Sequence, residues 1–196
     1  MKKKIALVAL LGLMLVPVTA QLKVGDVAPN FKLKNIDGTW VQLSDYNNQK
    51  GVVVVFTCNH CPYAKMYESR IQAIHARYQS QKVPVVAINS NDSTIVEADS
   101  YSNMIKNAKA KGFTFPYLLD DQQLFQKYGA TRTPHVFLLK KDKKQFIVTY
   151  IGAIDDYPQD AKEVKETYLA DAIEALLQGK EPKVTFTKSV GCSIKQ

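Results

Sequence analysis

The sequence is poor in the residues that build metal clusters and disulfide-stapled scaffolds. Its 196 residues include three cysteines and three histidines. A structural zinc site takes four such ligands, commonly a second Cys-x-x-Cys or histidines at helical spacing, and the sequence has neither. Small secreted scaffolds without a large core need a denser cysteine framework. Three cysteines therefore exclude both classes and allow one pair, with one cysteine left over.

Long apolar runs are also scarce. The first of them, residues 5–16, is twelve residues long, well short of the roughly 20 residues that cross a bilayer. A basic stretch at residues 2–4 precedes this run, and a small-residue end at 18–20 follows it. The pattern predicts a signal peptide over residues 1–20 with cleavage after Ala20. We therefore expect a periplasmic or otherwise exported protein, without stable membrane insertion after the signal is cleaved.

The excess of basic residues is modest once this leader is removed. The formal charge of +8 includes three leader lysines, which leaves 8 − 3 = +5. The one basic cluster, residues 140–144, has no aromatic residues interleaved for stacking on bases. Such a cluster is typical of a solvated turn between strands, so we predict no nucleic-acid partner.

The 176 residues after the leader (196 − 20) fit one α/β domain with a single core. Continuous apolar runs predict buried strands, alternation predicts a hairpin, and helical spacing predicts the helices. The predicted order is hairpin 31–43, strand 52–56, helix 59–80, strand 83–88, helix 99–111, extended piece 115–119, short helix 122–128, strands 134–139 and 145–151, helix 164–177 and tail 180–196.

The chain is organised around the strand at 52–56 and the two cysteines after it. Cys58 and Cys61 are separated by two residues, at the predicted start of a helix. Unpaired backbone N–H groups and the helix dipole stabilise an anion there, which lowers a thiol pKa. We therefore expect Cys58 to be the exposed attacking thiolate, and Cys61 to be the resolving thiol that closes a Cys58–Cys61 disulfide. His60 would add positive charge beside the thiolate.

Two motifs resemble a known family. They are GDVAPNF at residues 25–31 and CNHCP at residues 58–62, which directly follows an apolar strand. They resemble the thioredoxin superfamily, and within it the secreted redoxins of the alkyl hydroperoxide reductase/thiol-specific antioxidant (AhpC/TSA) family. The resemblance implies a thioredoxin-like fold, with a mixed central sheet flanked by helices, an N-terminal β-hairpin and an inserted helical segment. It places a redoxin domain at residues 21–179 and a tail at 180–196.

The resemblance also implies a peptide-binding element opposite the cysteines. Thioredoxin-like folds place a cis-proline there, and Pro134, after Thr133, lies at the matching place. The Thr133 backbone would then pair with an extended substrate peptide as a short strand edge. His135, the next residue, is either a plain core or edge residue or a residue that faces the cysteines.

These features predict an exported thiol-disulfide oxidoreductase. Its redox-active Cys58–Cys61 disulfide is the expected reactive group, and we predict no separate cofactor and no metal. Its partners would be protein thiols or disulfides and an upstream redox partner. The sequence leaves the direction of electron flow open.

Two alternative functions stay open. The family implies a thiol peroxidase with an antioxidant role, whose pattern is Pro-x-x-x-Thr-x-x-Cys. Here Thr57 directly precedes Cys58, and valines stand where that proline would be needed. The second alternative is copper delivery, in which two thiolates and His135 would bind Cu(I). Copper-delivery proteins of this fold carry a wider cysteine spacing.

Two further residues have open roles. Cys192 is a buried structural thiol, a third redox partner or a site of intermolecular linkage. Thioredoxins use a buried carboxylate that assists proton removal from the second cysteine, and residues 52–55 carry none. Glu68, two turns after Cys61, would replace that carboxylate if the helix turned it inward, and is otherwise a surface charge.

Overall fold

The structure is a computed structural model that describes residues 21–196. The predicted leader, residues 1–20, lies outside the described residues. The strands are β1 Lys32–Asn35, β2 Trp40–Gln42, β3 Gly51–Thr57, β4 Val85–Asn89, β5 Tyr117–Leu119, β6 Arg132–Thr133, β7 His135–Asp142, β8 Gln145–Gly152 and β9 Cys192–Ser193. The α-helices are α1 Pro62–Tyr78, α2 Tyr101–Lys111, α3 Leu124–Tyr128 and α4 Tyr168–Leu177.

Within the described part of the chain, seven strands form one mixed sheet in the order β2-β1-β5-β4-β3-β7-β8. Strand β3 is parallel to β4 and antiparallel to β7, and β7 continues as an antiparallel hairpin into β8. The β1–β2 hairpin extends the opposite edge through β5. The predicted fold class is confirmed: a mixed sheet flanked by helices, with an N-terminal hairpin and an inserted helix α2.

Strand β3 is buried because its valines pack on both faces of the sheet. Val53 and Val55 belong to the core cluster that includes α1, α2 and α4 residues. Val52, Val54 and Phe56 belong to the cluster on the other face, with residues of α3. Successive side chains of a strand point to opposite faces, so a continuous apolar run fills two cores at once. This anchoring fixes the end of β3, where the cysteines follow.

Helix α1 begins later than predicted. Its first residue is Pro62, and Cys61 is its N-cap in an extended conformation. Proline suits the first helical position, where its missing N–H costs nothing and its fixed backbone angle is already helical. Cys61, rather than Cys58, is therefore the cysteine at the helix start, and the predicted start at residue 59 is corrected.

The tail segment, residues 180–196, lies against the domain. Phe186 forms an isolated parallel bridge with Ile151, and β9 pairs antiparallel with β6. Between residues 180 and 191, sheet pairing of the tail segment is limited to this one bridge. The sequence pattern does not predict β9, because two residues carry no periodic signal.

No helix among residues 21–196 combines the length and the apolar composition that crossing a bilayer requires.

Gly51→Ala is predicted to destabilise the protein by about 1–3 kcal/mol, because extra atoms in a packed interior force backbone shifts. A Cβ at position 51 would lie 2.6 Å from the Leu139 carbonyl oxygen and 3.0 Å from Leu176 Cδ1. Midpoints of urea unfolding measure the change, and Lys50→Ala at the neighbouring exposed position is the control. An unchanged midpoint for Gly51→Ala would contradict this packing.

Candidate active site

Two backbone segments bring the predicted site residues together at one end of β3. The loop after β3 carries Cys58 and Cys61, and β6 with the following residue carries Thr133 and Pro134. Strands β3 and β7 pair antiparallel, so the end of β3 and the start of β7 lie side by side. Pro134 follows Thr133 through a cis peptide bond, as the resemblance implied. The cysteine and proline elements therefore meet in space.

Thr133 contacts both cysteines of the Cys-x-x-Cys motif. Its hydroxyl oxygen lies 3.3 Å from Cys58 Sγ, and its carbonyl oxygen lies 3.3 Å from Cys61 Sγ. Thr133 is itself buried, with 1 % of its surface exposed. One rigidly held residue thus positions both sulfur atoms.

The disulfide bond in the structure differs from the predicted one. Cys61 is bonded to Cys192, with 6.1 Å between their Cα atoms, and Cys58 keeps a free thiol. Strand β9 brings Cys192 to this position because Cys192 stands opposite Thr133 in the β6–β9 pair. The bond predicted between Cys58 and Cys61 is thus replaced by Cys61–Cys192, and Cys192 is a member of the site.

The environment of Cys58 also differs from the expected exposed thiolate. Cys58 is 3 % exposed, and burial raises the pKa of its thiol above the ordinary value. Hydrogen bonding with the Thr133 hydroxyl and with the Cys61 and His60 backbone lowers this pKa, while the negative charge of Asp99 raises it. The desolvation of the thiolate outweighs the hydrogen bonds. The prediction of an exposed thiol with a lowered pKa is therefore wrong for this state.

His60 lies beside the thiol and is held by a carboxylate. Its Nδ1 atom lies 2.5 Å from Oδ2 of Asp99, whose side chain is fully buried. Cys58 Sγ, one ring nitrogen of His60 and one carboxylate oxygen of Asp99 lie within 4.8 Å of one another. The carboxylate would form a charge pair with a protonated imidazole, so that His60 would not stand beside the thiol as an isolated cation.

Hydrogen bonds from two neighbouring loops fix Asp99. Its Oδ1 accepts the backbone N–H of Asn59 at 2.6 Å, and its Oδ2 accepts the side-chain amide of Asn91 at 2.8 Å. The amide of Asn89, at the end of β4, donates to Oδ1 at 3.3 Å. The sequence pattern does not mark Asp99 as a site residue, because its position indicates the start of a helix. The available signal is the polar stretch after β4, at the sheet edge where α/β proteins bind ligands.

Cys58, His60 and Asp99 offer sulfur, nitrogen and oxygen atoms that could together hold a borderline ion such as Zn²⁺. Both oxygens of Asp99 already accept hydrogen bonds from Asn59 and Asn91. A metal ion would have to displace some of these bonds.

His135 does not join the cysteines. It is buried, its Nδ1 accepts the backbone N–H of Thr131 at 3.3 Å, and its ring lies against Phe137. Burial lowers the pKa of His135 to about 4, so the ring is neutral near pH 7. Among residues 21–196, the group of side chains that could hold a metal ion contains His60 and not His135. The set of two thiolates with His135, which copper delivery would need, is not assembled in this structure.

Glu68 faces the interior, so its interpretation as a surface charge is wrong. It is 8 % exposed, forms an ion pair with Lys111 Nζ at 3.0 Å, and lines a small cavity together with Cys58 and Tyr117. Position 68 lies on the buried side of α1, one turn before Ile71. No bend of the helix is needed to turn this carboxylate inward.

Comparisons with known sequences identify the family to which the chain is similar. The sequence model of the AhpC/TSA family matches residues 24–154. The thiol-disulfide oxidoreductase ResA of Geobacillus thermodenitrificans is 30% identical over 144 residues, which cover 72% of this chain and 78% of that protein. The ResA protein of Bacillus subtilis is 31% identical over 121 residues, which cover 61% of this chain and 63% of that protein.

Solved structures share the fold over most of the chain. An uncharacterized conserved protein from Geobacillus kaustophilus has a TM-score of 0.83 at 35% identity, covering 90% of this chain and 93% of its own. A candidate thiol:disulfide interchange protein DsbE from Chlorobium tepidum has a TM-score of 0.62 at 25% identity, covering 80% of this chain and 99% of its own. The first likeness extends beyond the residues that the family model matches.

Asp99→Asn is predicted to lower the pKa of the Cys58 thiol, because it removes a charge that opposes the thiolate and keeps an acceptor for the Asn59 N–H. Thr133→Val is predicted to raise the same pKa, because it removes a hydroxyl that stabilises the thiolate. Ultraviolet thiolate absorbance against pH measures both changes in the disulfide-bonded protein, where Cys58 is the free thiol.

Glu97→Gln, which neutralises an exposed carboxylate near Asp99 in the chain, is the control and should leave the titration unchanged. Shifts of the same sign in the Asp99 and Thr133 variants would contradict the assigned electrostatics.

Proposed function

This chain belongs to the AhpC/TSA family of the thioredoxin superfamily and is a thiol-disulfide oxidoreductase, and we propose that it is exported and exchanges disulfides with protein cysteines through Cys58 and Cys61. The observation that carries the proposal is the convergence of both sulfur atoms on Thr133, each at 3.3 Å. A substrate sulfur bound at the same residue would meet both cysteines in turn.

Cys58 is the proposed nucleophile. Its thiolate attacks one sulfur of a substrate disulfide, forms a mixed disulfide with that sulfur and expels the other substrate sulfur as a thiolate. The Cys61 thiolate then attacks Cys58 Sγ, which closes a Cys58–Cys61 bond and releases the second substrate thiol. The substrate gains two electrons and the cysteine pair loses two. The same steps in reverse oxidise a substrate dithiol.

His60 and Asp99 are the proposed proton and charge partners of Cys58. The thiol must lose a proton before it attacks, and its burial makes this loss unfavourable. A ring nitrogen of His60 lies within 4.8 Å of Cys58 Sγ, and the Nδ1 atom of the ring is held by Asp99 Oδ2. His60 would accept the proton, and the resulting imidazolium would lie close to both the thiolate and the Asp99 carboxylate. This arrangement supports an attacking thiolate in spite of its burial.

The proposed substrates are protein thiols and disulfides, and an upstream redox partner resets the cysteine pair. The backbone of Thr133 pairs with β9 in this structure, and an extended substrate peptide could pair with the same edge when the tail segment leaves it. The relatives named ResA are thiol-disulfide oxidoreductases, which supports this class of substrate. The leader pattern at residues 1–20 supports action outside the cytoplasm.

The purified protein is predicted to accelerate the reduction of insulin disulfides by a small dithiol. Cys58→Ser should lower the turnover number about 100-fold or more, toward the uncatalysed rate, because the nucleophile is lost. Turbidity of the reduced insulin chains measures the rate. Ser80→Ala, at an exposed position after α1, is the control and should keep full activity.

The competing peroxidase function is tested by hydrogen peroxide consumption with the same reductant. Peroxide turnover well above disulfide turnover, or a Cys58→Ser variant that reduces insulin at the normal rate, would overturn the proposed function.

Export is predicted to leave a mature protein that begins at Gln21. Ala20→Arg should block this processing, because the cleavage site needs a small residue. Intact mass and N-terminal sequencing of the periplasmic fraction from a Gram-negative host measure the product. Lys23→Ala, beyond the cleavage site, is the control. An unprocessed chain of full length that stays in the cytoplasm would contradict export.

A further inference from the structure

The tail segment occupies the strand edge where a substrate peptide was expected. Strand β9 pairs antiparallel with β6, so that Thr133 stands opposite Cys192 and Arg132 opposite Ser193. Thr133 is also the residue that contacts both sulfur atoms of the Cys-x-x-Cys motif. The chain therefore places its own cysteine where a substrate cysteine would bind.

Close backbone packing shows that this position is built for the tail segment. A Cβ atom at Gly191 would overlap the carbonyl group of Thr133 and approach Pro134 N at 3.2 Å. The Gly191 carbonyl oxygen accepts a hydrogen bond from Arg132 Nη1 at 3.2 Å. Glycine is needed here because it allows the two backbones to approach this closely.

Hydrogen bonds on both sides of Cys192 hold the tail segment in place. Before it, the Thr187 N–H donates to the Ile151 carbonyl at 3.0 Å. After it, the Lys195 N–H donates to Asn91 Oδ1 at 2.8 Å, and the Asp92 N–H donates to the Lys195 carbonyl at 2.9 Å. These bonds span the segment on either side of the disulfide, so the docking does not rest on the disulfide alone.

We propose that Cys192 is a third redox-active cysteine and that the tail segment is a resident peptide substrate of the site. The inference rests on the proposed function, since it assigns Cys192 a place in the same exchange reaction. Cys192 packs against the cluster formed by Cys58, Cys61 and Ala64. All three cysteines thus share one small volume around Thr133.

The exchange conserves electrons and needs no outside reagent. The Cys58 thiolate attacks Cys61 Sγ, a Cys58–Cys61 bond forms, the Cys61–Cys192 bond breaks, and Cys192 leaves as a thiolate. The proton lost by Cys58 is balanced by the proton that Cys192 gains. The protein remains oxidised by two electrons in both forms.

The reverse exchange gives Cys192 its role in turnover. After a substrate disulfide has been reduced, the bond lies between Cys58 and Cys61. Attack by the Cys192 thiolate on Cys61 Sγ moves the bond to Cys61–Cys192 and frees the Cys58 thiol. The tail segment then covers the site with the nucleophile restored and buried. A reductant that cleaves Cys61–Cys192 completes the cycle.

Disulfide mapping of the full-length protein tests this exchange. The reduced protein is oxidised with one equivalent of diamide, its free thiols are alkylated, and the peptides are analysed by mass spectrometry. We expect a Cys61–Cys192 peptide with alkylated Cys58 in the wild-type protein. Cys58→Ser should keep the Cys61–Cys192 bond, and Cys192→Ser should shift the bond to Cys58–Cys61.

Gly191→Val tests the docking without touching a cysteine. It should loosen the tail segment and decrease the Cys61–Cys192 fraction of the oxidised protein. In the reduced protein it should make the Cys58 thiol react about tenfold faster with iodoacetamide, because a buried thiol becomes accessible. Lys188→Val, at an exposed position of the same segment, is the matched control and should behave like the wild type.

Insulin turnover separates failure of this inference from failure of the proposed function. A Cys192→Ser variant should lose several-fold in steady-state turnover and keep the first, single-turnover reduction. The inference is overturned if oxidised wild type carries Cys58–Cys61 with alkylated Cys192, if Cys192 links two chains, or if Cys192→Ser turns over at the full rate. Absence of insulin turnover in the wild type would instead overturn the proposed function, and the mapping would still decide the role of Cys192.

Discussion

The contact of Thr133 with the sulfur atoms is the constraint on which the site depends. Three groups of this residue have separate tasks: its hydroxyl faces Cys58, its carbonyl faces Cys61, and its strand edge pairs with the residue that carries the third sulfur. The antiparallel pairing of β3 and β7 keeps these groups in register with the loop after β3. The buried apolar runs of both strands therefore position the site, because they hold Thr133 against the cysteines.

A buried polar network surrounds this contact and sets its electrostatics. Asp99 is fully buried, and the side-chain polar atoms buried among residues 21–196 all have hydrogen-bond partners. A satisfied network of this kind is rigid, and in low dielectric its charge acts strongly on a neighbouring thiol. The pKa of the Cys58 thiol is raised because desolvation and the negative charge of Asp99 together outweigh the hydrogen bonds that lower it. Reactivity at this site therefore depends on access as much as on charge.

The sequence predicts the fold and part of the site, and the missing part has a physical cause. The apolar run of β3, the Cys-x-x-Cys motif and the Thr133-Pro134 pair carry local signals, so their positions follow from residue patterns. The Cys61–Cys192 bond joins residues 131 positions apart, and no local pattern reports such a distance. Asp99 is hidden for the same reason, since its partners come from separate loops. Burial of Cys58 likewise depends on tertiary packing, which a helix-start argument does not include.

The side-chain amide of Asn91 connects the tail segment to the buried Asp99 carboxylate beside the loop after β3. Its oxygen accepts the Lys195 N–H, and its nitrogen donates to Asp99 Oδ2, the atom that also holds His60. An amide has distinct ends, so it cannot rotate to serve one neighbour without losing the other. Docking of Lys195 and the orientation of the His60 ring are consequently coupled. By thermodynamic reciprocity, each stabilises the other by the same free energy.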